Sequence, residues 1–97
     1  MATTIGTIGN DDIWGGKGDD TLSGSSGNDY LDGQAGNDVI NGDDGEDIIW
    51  GDEGDDTLSG GSGFDWLYGE AGDDTYLVTD QWDYIWDELG DNNLIVS

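Results

Sequence analysis

Glycine and aspartate recur together every nine residues through most of this chain, and that period restricts the fold more than any other feature. Counting from Gly6, consecutive units run GTIGNDDIW, GGKGDDTLS, GSSGNDYLD, GQAGNDVIN, GDDGEDIIW, GDEGDDTLS, GGSGFDWLY and GEAGDDTYL. Places one and four are always glycine and place six is always aspartate. Place eight reads Ile13, Leu22, Leu31, Ile40, Ile49, Leu58, Leu67 and Tyr76. The period then fades without vanishing. Asp83 and Ile85 hold places six and eight of a ninth unit, and Gly90, Asn92 and Leu94 hold places four, six and eight of a tenth. Two glycines per unit disfavour helix. Collagen is excluded, because glycine does not fall at every third residue and there is no proline. An EF-hand is excluded as well, since no D-x-D-x-D-G loop ends in a glutamate at its twelfth place.

What fits is a strand of about three residues, alternating out, in and out, after a loop of about six. Each unit is then half a turn of a flattened coil, and two units, or 18 residues, close one turn. Odd units send Ile13, Leu31, Ile49, Leu67 and Ile85 inward from one parallel sheet; even units send Leu22, Ile40, Leu58, Tyr76 and Leu94 from the other. Such a core is one residue thick per side and cannot hold the coil by itself.

Charge makes the difficulty worse. The 97 residues carry 24 acidic side chains and one basic one, Lys17, for a net charge of −23. That balance normally describes a self-repelling, disordered polymer, yet five Trp, four Tyr and the regular Ile and Leu describe something that packs. A partner rich in phosphate needs Lys and Arg to meet it, so nucleic acid and anionic membranes are poor partners. Cations are the natural ones. With no cysteine and no histidine, thiolate and imidazole sites are excluded, leaving oxygen ligands and hard ions. No apolar run approaches the roughly 20 residues of a membrane span, and the amino terminus shows no basic-then-apolar signal segment. Successive turns lie about 4.8 Å apart, so place-six carboxylates and loop carbonyls crowd into the same gaps, where a Ca²⁺ ion taking 6–8 oxygens would be held. Glycine permits the crowding.

The pattern G-x-x-G-[N/D]-D-x-[L/I]-x resembles the RTX, or haemolysin-type, nonapeptide repeat, G-G-x-G-x-D-x-U-x. The resemblance runs unit by unit over residues 6–77, and the segment beginning at Gly72 is similar to the one that follows the last repeat in that family. It implies an all-β, right-handed parallel β-roll of about five 18-residue turns, with Ca²⁺ between the loops and a carboxy-terminal cap. The implied ligands are Asp11, Asp20, Asp29, Asp38, Asp47, Asp56, Asp65 and Asp74, with Asp83 one further turn on. Loop carbonyls join them: those of Gly9, Gly18, Gly27, Gly36, Gly45, Gly54 and Gly63, and of Gly24, Gly33, Gly42, Gly51, Gly60 and Gly69. Loops on each edge leave six full gaps, and Asp83, 18 residues after Asp65, completes a seventh with Asp80 close by, so six or seven Ca²⁺ ions are expected. The family's second glycine is present only at Gly16 and Gly61, and Glu46 and Phe64 stand where Asn or Asp is usual at place five. The resemblance also implies a secreted protein exported by a type I route, unfolded at low cytosolic Ca²⁺ and folded outside.

Three segments follow: a lead-in over residues 1–5, eight repeats over 6–77, and degenerate repeats with a cap over 78–97. Trp82, Trp86, Leu89 and the run from Leu94 to Val96 have the bulk to cover an open end, which solenoids require; the same segment suits an uncleaved secretion signal. Adjacent carboxylates such as Asp19 and Asp20 also suit acid–base chemistry, but every unit carries them and an active site needs one distinguished place, so no enzyme is expected. Seven of the ten aromatic residues fall on the outer face of the odd sheet and none on that of the even sheet. There Trp14, Tyr30, Ile48, Trp50, Trp66, Tyr68, Tyr84 and Trp86 make an interaction face for a second copy, a partner domain or a ring-stacking sugar. An adhesion or ligand-binding module is therefore the alternative function. The Thr/Ser/Val/Asn face of the even sheet is expected to be plain solvated surface rather than an ice-binding array.

Overall fold

The computed structural model describes residues 3–78, 84–86 and 93–96. Among them there is no helix, and the strands follow the nine-residue count: β1 (Thr3–Ile5), β2 (Asp12–Trp14), β3 (Thr21–Ser23), β4 (Tyr30–Asp32), β5 (Val39–Asn41), β6 (Ile48–Trp50), β7 (Thr57–Ser59), β8 (Trp66–Tyr68), β9 (Thr75–Val78), β10 (Tyr84–Trp86) and β11 (Asn93–Val96). A glycine follows each strand from β1 to β8 after its third residue. The middle residue of β2 to β8 is buried and its neighbours are more exposed, the alternation that a strand imposes.

The strands sort by parity into two parallel sheets. One has the order β1-β3-β5-β7-β9-β11 and the other β10-β8-β6-β4-β2. Every pairing joins residues 18 apart, as in Leu22 with Ile40 or Leu31 with Ile49. The chain is thus a β-solenoid whose turns stack in strict register. Each sheet's ladder reaches into the loops, because the Gly15 N–H donates to the Asp32 carbonyl at 2.8 Å and the Val39 N–H to the Asp20 carbonyl at 2.9 Å.

Between the sheets lies a single apolar layer of Ile13, Leu22, Leu31, Ile40, Ile49, Leu58, Leu67 and Tyr76, with Ile85 packed against it. These are the place-eight residues of the repeat. The coil begins earlier than a count from Gly6 implies, since β1 pairs with β3 through Thr3 and Thr21. It also continues through the degenerate units, where Ile85 pairs with Leu67 and Leu94 with Tyr76. The expectations for Asp80, Trp82, Asp83, Leu89, Gly90 and Asn92 fall outside the described residues.

Candidate metal centre

Within the loops the three fixed residues do different work. Place-four glycines from Gly18 to Gly72 all have positive φ, between 95° and 108°, and from Gly27 on they are also in close contact with the turn beneath. A Cβ built on Gly45 would overlap the Gly27 carbonyl oxygen and lie 2.7 Å from its carbon. Place-one glycines are needed for approach alone. A Cβ built on Gly15 would lie 2.8 Å from Asp20 Oδ2 and 2.9 Å from the carbonyl oxygen of Gly33, one turn on. The same small cradle, bounded by a carboxylate oxygen and a glycine carbonyl, recurs at Gly24 between Asp29 Oδ2 and the Gly42 carbonyl.

Among the described residues the place-six aspartates from Asp20 on are the most buried acids: Asp20, Asp29, Asp38, Asp47, Asp56, Asp65 and Asp74 are at most 3 % exposed. Their carboxylates divide the labour between the two oxygens. Oδ1 accepts the backbone N–H of the aspartate one turn earlier, from Asp20 to Asp38 at 2.7 Å, Asp29 to Asp47 at 2.8 Å and Asp47 to Asp65 at 2.9 Å. Oδ2 lies deep in the loop, and for Asp20, Asp29, Asp38, Asp47 and Asp56 it has no hydrogen-bond partner among the described residues. A row of buried carboxylate oxygens facing no donor is an electrostatic defect unless a proton or a cation answers it. Burial, the largest cause, accordingly pushes Asp38 up to about 6, Asp47 to about 7 and Asp56 to about 8, with neighbouring carboxylates adding to the rise. Asp29 moves the same way, mainly by burial.

Sequence reasoning put a charged oxygen from each loop into one gap; the structure leaves one oxygen unpartnered at Asp29, Asp38, Asp47 and Asp56, with the other tied into the backbone ladder. Among the described residues no three acidic side chains converge on a point. A cation here must take backbone carbonyls beside its carboxylates, which is the mixed oxygen set that Ca²⁺ accepts readily. The residues therefore fit a hard ion.

Two regularities were missed in the sequence. Place-five side chains form a second ladder running in the opposite sense: Asn10 Oδ1 accepts from the Asn28 N–H at 2.7 Å, Asp19 from Asn37 at 2.8 Å and Asn37 from Asp55 at 2.8 Å. Place two is left-handed in every unit from the second to the eighth, at Gly16, Ser25, Gln34, Asp43, Asp52, Gly61 and Glu70. The family's second glycine is thus a conformational requirement that five non-glycine residues meet at φ of 65–67°. Of place two and three residues, Gln34, Ala35, Asp52, Glu53, Glu70 and Ala71 line an open cleft of about 330 Å³ on one edge. Beside it the Asp32 carboxyl is pushed up to about 7 by burial, then by its hydrogen bond to Asp52 and the Asp52 charge.

Trp14, Tyr30, Trp50, Trp66, Tyr68 and Tyr84 lie on one sheet, as the parity of the repeat requires, but they largely pack on each other. Trp50 stacks on Tyr68 with ring centroids 4.2 Å apart and planes 12° from parallel, and Trp66 contacts Tyr84 at 5.2 Å and Phe64 at 5.4 Å. Trp14 is 54 % exposed, Tyr84 41 % and Trp66 and Ile48 37 %, while Trp50 and Tyr68 are half-buried and Tyr30 touches Trp14. Trp86 is placed by its register with Tyr68.

Comparison with known proteins adds one finding. The family model described as the RTX calcium-binding nonapeptide repeat, in four copies, matches residues 5–40, 24–58 and 50–78. No curated protein and no solved structure matches the chain.

Proposed function

Because this chain belongs to the family of RTX calcium-binding nonapeptide repeats, and is a calcium-binding β-roll module, we propose that its work is conditional folding: disordered without Ca²⁺, it folds when Ca²⁺ is supplied after type I secretion. The observation that carries this is the row of buried, unpartnered Oδ2 atoms at Asp20, Asp29, Asp38, Asp47 and Asp56 in a chain of net charge −23. The family is a structural repeat rather than an enzyme family, and RTX repeats are typical of secreted proteins. Ca²⁺ would supply the positive charge and multiple oxygen coordination that the single Lys17 cannot. The place-six carboxylates from Asp11 to Asp74 would hold it with glycine carbonyls of neighbouring turns, in about six gaps. The chain's own contribution is geometric. Glycine at places one and four keeps the oxygens close, and in the folded coil Oδ1 of Asp29, Asp38, Asp47 and Asp56 accepts a backbone N–H of the turn before, which leaves Oδ2 for the ion.

A far-ultraviolet circular dichroism titration with Ca²⁺, repeated with Mg²⁺, tests the proposal. Ca²⁺ should induce β-structure with a midpoint in the roughly 10⁻⁴–10⁻³ M range of extracellular modules. Mg²⁺, which holds its water and a tighter octahedron, should not. Full β-structure in chelator, or equal response to both ions, would refute it.

A second reading concerns the aromatic sheet. Trp14, Ile48, Trp66 and Tyr84 remain exposed on one face of the coil, and we infer that this face meets a second copy of the chain, with a ring-stacking sugar as the alternative occupant. Trp14 and Trp66 would carry this contact, since Trp50 is half-buried against Tyr68. Sedimentation in Ca²⁺ tests it: a dimer that the pair Trp14→Ser and Trp66→Ser abolishes supports the contact, and a monomeric wild type refutes it.

A further inference from the structure

The first loop does not have the conformation of the others. In the second to eighth units both place two and place four have positive φ; in the first, neither Thr7 nor Gly9 does. The reason lies in the residue. Threonine is β-branched and all but barred from the left-handed region, so a loop with Thr7 at place two cannot copy its neighbours. It closes on itself instead. The Thr7 N–H donates to Asp11 Oδ2 at 2.6 Å, the Thr7 hydroxyl lies 3.0 Å from Asp11 Oδ1 and 3.1 Å from Oδ2, and that hydroxyl accepts the Gly9 N–H at 3.2 Å.

Asp11 therefore differs from the rest of its row. From Asp29 on, Oδ1 accepts a backbone N–H from the turn before, and Oδ2 of Asp20, Asp29, Asp38, Asp47 and Asp56 is buried without a partner. Asp11 is only half-buried, and both its oxygens are met from within its own loop by Thr7. Its backbone N–H still donates to Asp29 Oδ1 at 2.8 Å, so the loop remains docked on the coil. A capping unit at a solenoid end must meet the coil on one side and need nothing on the other, and this loop does both.

We propose that Thr7 makes the first repeat a metal-free amino-terminal cap, so that the ion stack on that edge begins at the loop of Asp29 rather than of Asp11. This rests on the calcium reading above and sharpens it, reducing the six full gaps counted from the repeat to five. It also removes Asp11 and Gly9 from the ligand set that the family resemblance supplies. Thr7 is here a positioning residue, acting through Asp11.

Equilibrium dialysis of ⁴⁵Ca²⁺ against the full chain, with folding followed in parallel, decides the matter. Asp11→Asn should bind as many ions per chain as the wild type, whereas Asp29→Asn should bind fewer. Thr7→Gly, which restores the left-handed place two and releases the Asp11 carboxylate, should gain one ion. Thr7→Val should keep the wild-type count but lower the urea midpoint in saturating Ca²⁺, and Thr7→Ser should restore that midpoint. Loss of one ion in Asp11→Asn, or an unchanged count in Thr7→Gly, overturns the cap while leaving the calcium reading standing. A wild-type chain that binds no Ca²⁺ at millimolar concentration overturns both.

Discussion

Gly16 and Gly45 both have positive φ, 94° and 108°, yet alanine should be tolerated at one and not at the other. Left-handed backbone costs an L-residue about 1–2 kcal/mol, and replacing glycine recovers about 0.4–1 kcal/mol by restricting the unfolded chain. At Gly16 nothing lies within 4 Å of a built Cβ, so Gly16→Ala should cost no more than about 1.6 kcal/mol, the largest difference between those two effects. At Gly45 the methyl group would overlap the Gly27 carbonyl and sit 3.2 Å from Asn28 Oδ1. Backbone cannot rotate aside as a side chain can, and the turns separate only by breaking the ladder on both edges. Overpacking adds about 1–3 kcal/mol, which on top of the same net backbone cost brings Gly45→Ala to about 1–5 kcal/mol. Urea unfolding of both variants in saturating Ca²⁺ measures the difference directly, provided that m is unchanged. Equal losses, or a larger loss at Gly16, would refute the claim that places two and four are left-handed for different reasons.

Other consequences are as specific. In metal-free solution, folded carboxyls held above their unfolded value of 3.8 stabilise the coil only while protonated. That contribution is fully present below about pH 4 and is lost as the pH rises through the values of about 6 to 8 at Asp38, Asp47 and Asp56. Acidification without Ca²⁺ should therefore recover β-structure by circular dichroism, and the Ca²⁺ midpoint should rise as the pH falls from 8 to 5, since the ion competes with protons; a pH-independent midpoint would contradict this. Asp47→Ala removes both a buried Oδ2 and the acceptor of the Asp29 N–H and should raise the Ca²⁺ midpoint at least tenfold. Asp19→Ala, which takes away one exposed acceptor of the Asn37 N–H, should change it by about fivefold or less, the worth of about one ordinary hydrogen bond. A chain ended after Leu77 loses β10 and β11 and leaves β8 and β9 as bare edges, so it should aggregate or fold poorly in Ca²⁺; an unchanged midpoint would remove any capping role from residues 78–97.

The sequence made the period, the strands and the core legible because each place of the repeat has one dominant constraint. Place eight must be apolar, so Ile13 to Tyr76 announce the core directly, and parity alone assigns Trp14 and Trp66 to one sheet and Thr21 and Val39 to the other. Place two hid its constraint, because backbone angle rather than side-chain chemistry is what recurs there. Ser25, Gln34, Asp43, Asp52 and Glu70 share no property that names a left-handed residue, and only Gly16 and Gly61 hinted at it. The place-five ladder left a fainter trace in Asn10, Asp19, Asn28, Asn37, Asp55 and Asp73, all short acceptors of one length. Thr7 carried the clearest overlooked signal: a β-branched residue at a loop place that has positive φ in each of the next seven units. The direction of each aspartate oxygen could not be read at all, since Oδ1 and Oδ2 are distinguished only by the neighbouring turn.

The central claim is that the buried carboxylate row keeps this chain unfolded until Ca²⁺ answers it. The most direct measurement is the ¹H–¹⁵N amide spectrum of the full chain at pH 7, recorded in chelator and again in millimolar Ca²⁺. In chelator the amide protons should crowd into the narrow range of an unfolded chain; in Ca²⁺ they should disperse, with the Asp20, Asp29 and Asp47 N–H groups, each held by a carboxylate one turn on, among the slowest to exchange. A dispersed spectrum already present in chelator would contradict the account.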